Sequence, residues 1–276
     1  MDKSAKRTLE YQPLIAQSFV MSEEHKNTVL ITGSAKRIGR AIAVGMALDG
    51  WRIALHYGTS RDEAEELARL IIDNGGEAVA VQADLNDEEQ ASSLVSRVVE
   101  MTGPISCLIN SASLFEEDLA ETATFESWNA HMQVNLRSPF VLTQSFVEQL
   151  PEGLEGNVVN IIDQRVWNLT PHFLTYTLSK AGLWTLTQTL AMALAPKVRV
   201  NAIGPGPALP SARQTEETFI KQWSSLPLRR NVTLEEIVEA VRFILEAPSM
   251  TGQMIALDGG QHMGWSHEQP AGGAVE

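Results

Sequence analysis

Cysteine is nearly absent from this 276-residue chain: a lone Cys107 permits no internal disulfide framework and no thiolate metal cluster, as suits a reducing compartment. None of the six histidines (His25, His56, His131, His172, His262, His267) falls in an HExxH or similar paired spacing, so metal catalysis has no motif behind it. No run of about 18 apolar residues exists, the longest candidate at 183–195 being broken by Thr185, Thr187, Gln188 and Thr189. Residues 1–27 hold scattered charge without the apolar stretch of a secretory signal, and a cytoplasmic location is expected. Basic residues are also few. Lys and Arg number 21 against 34 Asp and Glu, a net charge of −13 that disfavours a nucleic-acid groove. There is no fixed-period repeat and no Pro/Ser linker to divide the chain.

What is present is apolar sequence, 44% of the chain, arranged in alternating patterns. Short β-branched runs at 28–32, 52–56, 78–82, 107–110, 157–162, 198–203 and 254–257 read as strands. Segments 38–49, 61–73, 87–101, 125–150, 173–194 and 234–246 repeat apolar residues every three or four positions and read as helices. Strand and helix in alternation predict an α/β fold, a doubly wound, seven-stranded parallel sheet with helices on both faces, as one domain over 28–264. Residues 1–27 form an N-terminal extension, in which Met21 is a second possible start, and 265–276 a flexible tail. The proline-punctuated stretch 204–228 is expected to be a flap over the substrate. Ligands of open parallel sheets bind at the carboxyl ends of the strands, so the site is sought there.

The first strand runs into Thr32-Gly-Ser-Ala-Lys-Arg-Ile-Gly39. Gly33 admits a positive φ, Gly39 admits close packing, and a helix N-terminus offers free N–H groups to a pyrophosphate; an ordinary strand-to-helix turn is the plainer reading. Tyr176 and Lys180, four apart in a helical pattern, share one face, where the cation is expected to lower the phenol pKa toward neutrality; coincidence is the alternative.

Together these motifs resemble the short-chain dehydrogenase/reductase family, over about 28–264. Supporting matches are Asp84-Leu85, Asn110-Ser-Ala-Ser113 with its Ala112, the helical Asn135, Asn201 to Gly206 with its Pro205, and Leu257-Asp-Gly-Gly260. The resemblance implies a Rossmann-like domain in which Gly33, Arg37, Ile38, Gly39, Asp84, Leu85, Asn110, Ala112, Pro205 and Gly206 hold NAD(P), and in which Asn135, Tyr176 and Lys180 form the proton relay. Lys180 would also hold the nicotinamide ribose, and Asn135 a water leading to Lys180. The family's serine 13 residues before the tyrosine is replaced by Asp163, a feature similar to the pteridine reductase branch, as are Lys36-Arg37 and the Asn110 to Phe115 segment.

On that resemblance the catalytic residues are Asp163, Tyr176, Lys180 and Asn135, and Arg37, Ser113, Phe115, Asp163 and Tyr176 meet the substrate. Phe115 either stacks on a flat ring or merely covers the cleft, and Ser113 either meets the ring or shapes the turn. At the end of the second strand His56, Tyr57, Ser60 and Arg61 are expected to border the cofactor, and with no acid there to repel a 2′-phosphate and Arg37, Ser60 and Arg61 to hold it, NADPH is the expected cofactor. The resemblance also implies a homotetramer, with helices 125–150 and 173–194 paired across two-fold axes; a small-molecule substrate is expected, with no nucleic acid and no membrane as partner. The expected activity is NADPH-dependent hydride transfer to a C=N carbon of a pteridine or similar heterocycle; reduction of a ketone or 3-oxoacyl thioester is the rival, and a non-catalytic NADP(H)-binding sensor, its serine lost, is a rival of another class.

Overall fold

The computed structural model describes residues 27–211 and 213–264, so the expectations for 1–26, Met21 and 265–276 lie outside the described residues. Seven strands form one parallel sheet: β1 (Thr28–Ile31), β2 (Arg52–Tyr57), β3 (Glu77–Gln82), β4 (Cys107–Asn110), β5 (Gly156–Ile161), β6 (Val198–Pro205) and β7 (Met254–Leu257). Their order is β3-β2-β1-β4-β5-β6-β7. The order reverses between β1 and β4, where Val29, Leu30 and Ile31 pair with Cys107, Leu108 and Ile109. A crevice opens beyond the carboxyl ends of such a pair.

Alternate residues of each strand face opposite sides, and both sides are covered. Val29 and Ile31 pack with Ile42 and Met46 of α1 (Arg37–Leu48), Leu67 of α2 (Arg61–Asp73) and Ile237 and Val241 of α8 (Leu234–Glu246). Leu30 points the other way, toward Leu94 and Val98 of α3 (Glu88–Thr102), Leu142 and Phe146 of α5 (Ser138–Gln149) and Leu190 of α6 (Leu174–Leu194).

Two elements differ from the sequence expectation. The span 125–150 is not one helix: α4 (Phe125–Met132) passes through a π turn at Gln133–Arg137 before α5 begins. The stretch 204–228 contains a helix, α7 (Glu216–Ser224), started by Thr215 Oγ1 accepting from the Thr218 N–H. Among the described residues no helix is long and apolar enough to cross a membrane.

Candidate active site

Beyond the carboxyl edge of the sheet lies a cleft of about 830 Å³. At one end β1 enters α1. Gly33 has φ +64° and a Cβ there would stand 2.8 Å from Ala112 Cα; at Gly39 it would stand 2.5 Å from the Gly33 carbonyl. Only glycine fits either place. Thr32 Oγ1 accepts from the N–H groups of Ser111 and Ala112, both at 3.0 Å, tying this turn to the end of β4. His56 braces it from below: Nδ1 accepts from the Gly33 N–H at 3.1 Å, leaving Nε2 to donate to the Ala83 carbonyl at 3.0 Å. Burial lowers the His56 pKa to about 4, so the ring is a neutral strut.

The α1 N-terminus is left open. Lys36 makes no side-chain cap and the first turn holds no acid, whereas α3, α7 and α8 have both a side-chain cap and acidic residues there. Such an end presents unpaired N–H groups and partial positive charge to an anion. Arg37 sits beside it in the left-handed region, φ 55°, and donates to the carbonyls of Pro210 (2.8 Å) and Leu209 (3.3 Å).

At the other end the Tyr176 hydroxyl donates to Asp163 Oδ2 at 2.8 Å. Asp163 Oδ1 accepts from the Arg165 N–H at 2.7 Å, so the carboxylate both caps the Gln164–Trp167 turn and holds the phenol. Lys180 is buried and donates to the Ile161 carbonyl at 2.9 Å, its Nζ 5.8 Å from the tyrosine ring centroid. Burial lowers its pKa to about 8. The phenol pKa does not fall as the Tyr176–Lys180 spacing led us to expect: burial first, then the Asp163 charge and hydrogen bond, push it well above the ordinary value. The phenol is therefore a proton-bearing donor.

Asn135 stands in the π turn. Its Oδ1 accepts from the Leu114 N–H at 2.8 Å, and its Nδ2 donates to the Leu114 carbonyl at 2.9 Å and to Ser179 Oγ at 3.0 Å. The side chain thus clamps the loop that carries Phe115. Two further anchors hold that loop: His131 Nε2 accepts from the Glu116 N–H at 3.2 Å, and Asp118 accepts from Thr175 and Ser127. Phe115 is stacked on Phe173 at 4.5 Å and meets Tyr176 edge-on at 4.7 Å.

The family described as enoyl-(acyl carrier protein) reductase matches residues 33–262. The chain is a short-chain dehydrogenase/reductase. It is 30% identical over 239 residues to the 3-oxoacyl-[acyl-carrier-protein] reductase of Synechocystis sp., covering 85% of this chain and 96% of that relative. It is 48% identical to FolM alternative dihydrofolate reductase 1 from Brucella suis, crystallised with NADP, with a TM-score of 0.82 over 87% of this chain and 96% of that one. A blue fluorescent protein from a metagenomic library, crystallised with NADPH, is 27% identical with a TM-score of 0.78, over 85% and 97% of the two chains.

In this short-chain dehydrogenase/reductase the cleft brings together Gly33, Arg37, Ile38, Gly39, His56, Asp84, Leu85, Ala112, Ser113, Phe115, Asp163, Tyr176, Lys180, Pro205 and Gly206. Four expected cofactor residues do not line it. Tyr57 is buried against Ala35 and Ala64. Ser60 precedes α2, and Arg61 pairs with Glu65 along that helix, 72% exposed. Asn110 turns inward, donating to Asn160 Oδ1 at 2.8 Å. Ser113 is exposed and donates to its neighbour's carbonyl, that of Leu114.

The sequence reading gave Lys36 no site role and missed Gly58 and Thr59 at the phosphate end, and Gln164, Arg165, Arg213 and Gln261 at the far end. Lys36 lies within the glycine turn it named, and Gly58 and Thr59 lie between Tyr57 and Ser60. The rest converge only in three dimensions.

Proposed function

We propose that this enzyme uses NADPH to reduce a C=N bond of a pteridine or a similar flat heterocycle. The observation that carries the reading is the Tyr176 to Asp163 bond with Phe115 packed against the same tyrosine. A serine at position 163 would only hold a carbonyl oxygen. A carboxylate can accept a proton and return it, which suits a ring whose nitrogen must be protonated.

The chain's residues fit a dinucleotide. The open N-terminus of α1 would receive the pyrophosphate, Arg37 and Lys36, the latter paired with Glu63 at 2.6 Å, would supply cations to a 2′-phosphate from the cleft wall, and Asp84 and Leu85 would border the adenine. When bound, NADPH supplies the hydride. Lys180 would hold the ribose hydroxyls, Tyr176 would deliver the proton from its hydroxyl, and Asp163 orients that hydroxyl and would relay to it a replacement proton taken up from solvent. Asn135 and His131 fix the loop so that Phe115 presents one wall to the ring. The likeness to FolM crystallised with NADP supports both cofactor and substrate class.

The name of the Synechocystis relative favours a second reading, reduction of a 3-oxoacyl thioester. Against it, Asp163 stands where the family's serine would donate to such a carbonyl, and its oxygens already accept from the Tyr176 hydroxyl and the Arg165 N–H. NADPH oxidation with a dihydropterin, dihydrofolate and acetoacetyl thioester decides between them; turnover of the thioester alone defeats the pteridine reading. The assembly that fits is a homotetramer, because α4 and α6 expose the apolar side chains of Phe125, Trp128, Leu178 and Met192.

A further inference from the structure

Two guanidinium groups flank the Phe115–Phe173 pair, and they are satisfied differently. Arg213 pairs with Glu116 at 3.2 Å. Arg165 makes no ion pair among the described residues, although it is only 5% exposed. Its Nη1 donates to Thr170 Oγ1 at 2.8 Å and to the His172 carbonyl at 3.3 Å. Nε is buried without an acceptor, and Nη2 donates to no group among the described residues. A cation taken out of water without a counter-charge is costly, and donors left unpaired on the wall of a cleft mark a place where a ligand completes the set.

Unpaired acceptors lie beside it. Gln164 and Gln261 line the same cleft, and each has a buried amide oxygen with no donor. Two short turns bring them together: Gln164–Trp167 packs on Gln261–Met263, with Asn168 Nδ2 donating to the Gln261 carbonyl at 3.0 Å and Trp167 edge-on to His262 at 5.4 Å. The Arg165 N–H donates to Asp163, which also holds the Tyr176 hydroxyl, and its guanidinium lies 5.1 Å from the Phe173 ring that stacks on Phe115, so the residue stands beside the reacting end of the cleft.

We infer that Arg165 is a substrate-recognition residue whose guanidinium donates to the ring oxygen of a flat heterocycle, with the Gln164 and Gln261 amide oxygens accepting from its N–H groups. The inference rests on the pteridine reading. The lactam edge of a pterin alternates an oxygen acceptor with N–H donors and so matches one guanidinium and two amide oxygens; the acyl segment of a 3-oxoacyl thioester offers oxygens but no N–H.

The competing account makes Arg165 a tie that holds residues 170–173 and stacks on Phe173 at 5.1 Å. Steady-state kinetics on a 4-oxo dihydropterin and inhibition by its 4-amino analogue separate the two for Arg165→Met and Arg165→Lys. Recognition predicts that Arg165→Met raises KM for the oxo substrate about 10- to 100-fold, with kcat within about threefold. It also predicts an inhibition constant of the amino analogue that stays level or falls, and unchanged NADPH binding. Equal weakening of both ligands, a fall confined to kcat, or no change overturns the inference. If Arg165→Met no longer binds NADPH, Arg165→Lys decides by the same oxo-to-amino ratio. Absence of pterin turnover by the parent removes the functional reading and this inference with it, whereas pterin turnover with an unchanged Arg165→Met KM removes the inference alone.

Discussion

Tyr176 and Asp163 are 13 residues apart in the chain and 2.8 Å apart in space, joined by a bond in which the phenol donates. One comes from α6 and the other from the end of β5, so sheet and helix packing sets their distance. The phenol keeps its proton until something in the cleft takes it.

Tyr176→Phe should remove turnover by about a hundred- to ten-thousandfold, the usual range for losing a general acid. NADPH affinity should hold, because the hydroxyl bonds Asp163 and points to the substrate side. Single-turnover rates and cofactor fluorescence titration check both; more than a tenth of the parent rate in the chemical step excludes the role.

Asp163→Ser separates the carboxylate's two jobs. The cap on the Gln164–Trp167 turn survives in a serine at a cost of about 1 kcal/mol or less. Pterin reduction should nevertheless fall at least about a hundredfold, with any activity on simple ketones retained or raised. A variant that reduces pterins as fast as the parent would sink the assignment.

Cofactor choice should depend on Arg37 and Lys36 and not on Arg61, which is paired with Glu65 outside the cleft. Arg37→Ala should lower kcat/KM with NADPH about 10- to 100-fold more than with NADH, as expected for one lost charge-assisted contact. Arg61→Ala should leave the ratio within about twofold of the parent. Equal efficiency of the parent with the two cofactors contradicts the NADPH reading outright.

Stability should fall on mild acidification, partly through His56. The unfolded ring binds a proton below about pH 6.5, but the folded one refuses it until about 4. Its contribution is therefore complete above 6.5 and is lost as pH falls toward 4, about 2 kcal/mol being gone at pH 5. His131, lowered in the same direction by burial, adds to that slope. His56→Gln should flatten the difference between urea midpoints at pH 7 and pH 5; an unaltered difference means that His56 does not carry it.

Light scattering at micromolar concentration should give the mass of four chains. Met192, 75% exposed on α6, is the test position. Met192→Glu should shift the mass toward smaller species while NADPH binding persists, and a monomeric parent disproves the assembly.

The strands were legible because β-branched runs alternate with helical periods, and the glycine turn because only glycine tolerates its geometry. The π turn was hidden: Gln133, Val134, Asn135, Leu136 and Arg137 contain no glycine or proline to mark a break. Helix α7 was masked by Pro205, Pro207, Pro210 and Pro227 around it. Arg165 escaped notice because an arginine after a strand reads as solvated, and its burial depends on Phe173 and on the turn at 261–263, far along the chain.

That π turn has a geometric consequence. An α-helix advances 100° per residue, so widening one turn shifts the phase of everything after it relative to everything before. Before the turn His131 is aimed at Thr175 and the Phe115 loop; after it Leu142 and Phe146 are aimed at the sheet. Removing a single residue between 133 and 137 would bring the two segments into one continuous spiral, swinging either the loop anchors or the core side chains away by about a quarter of a revolution.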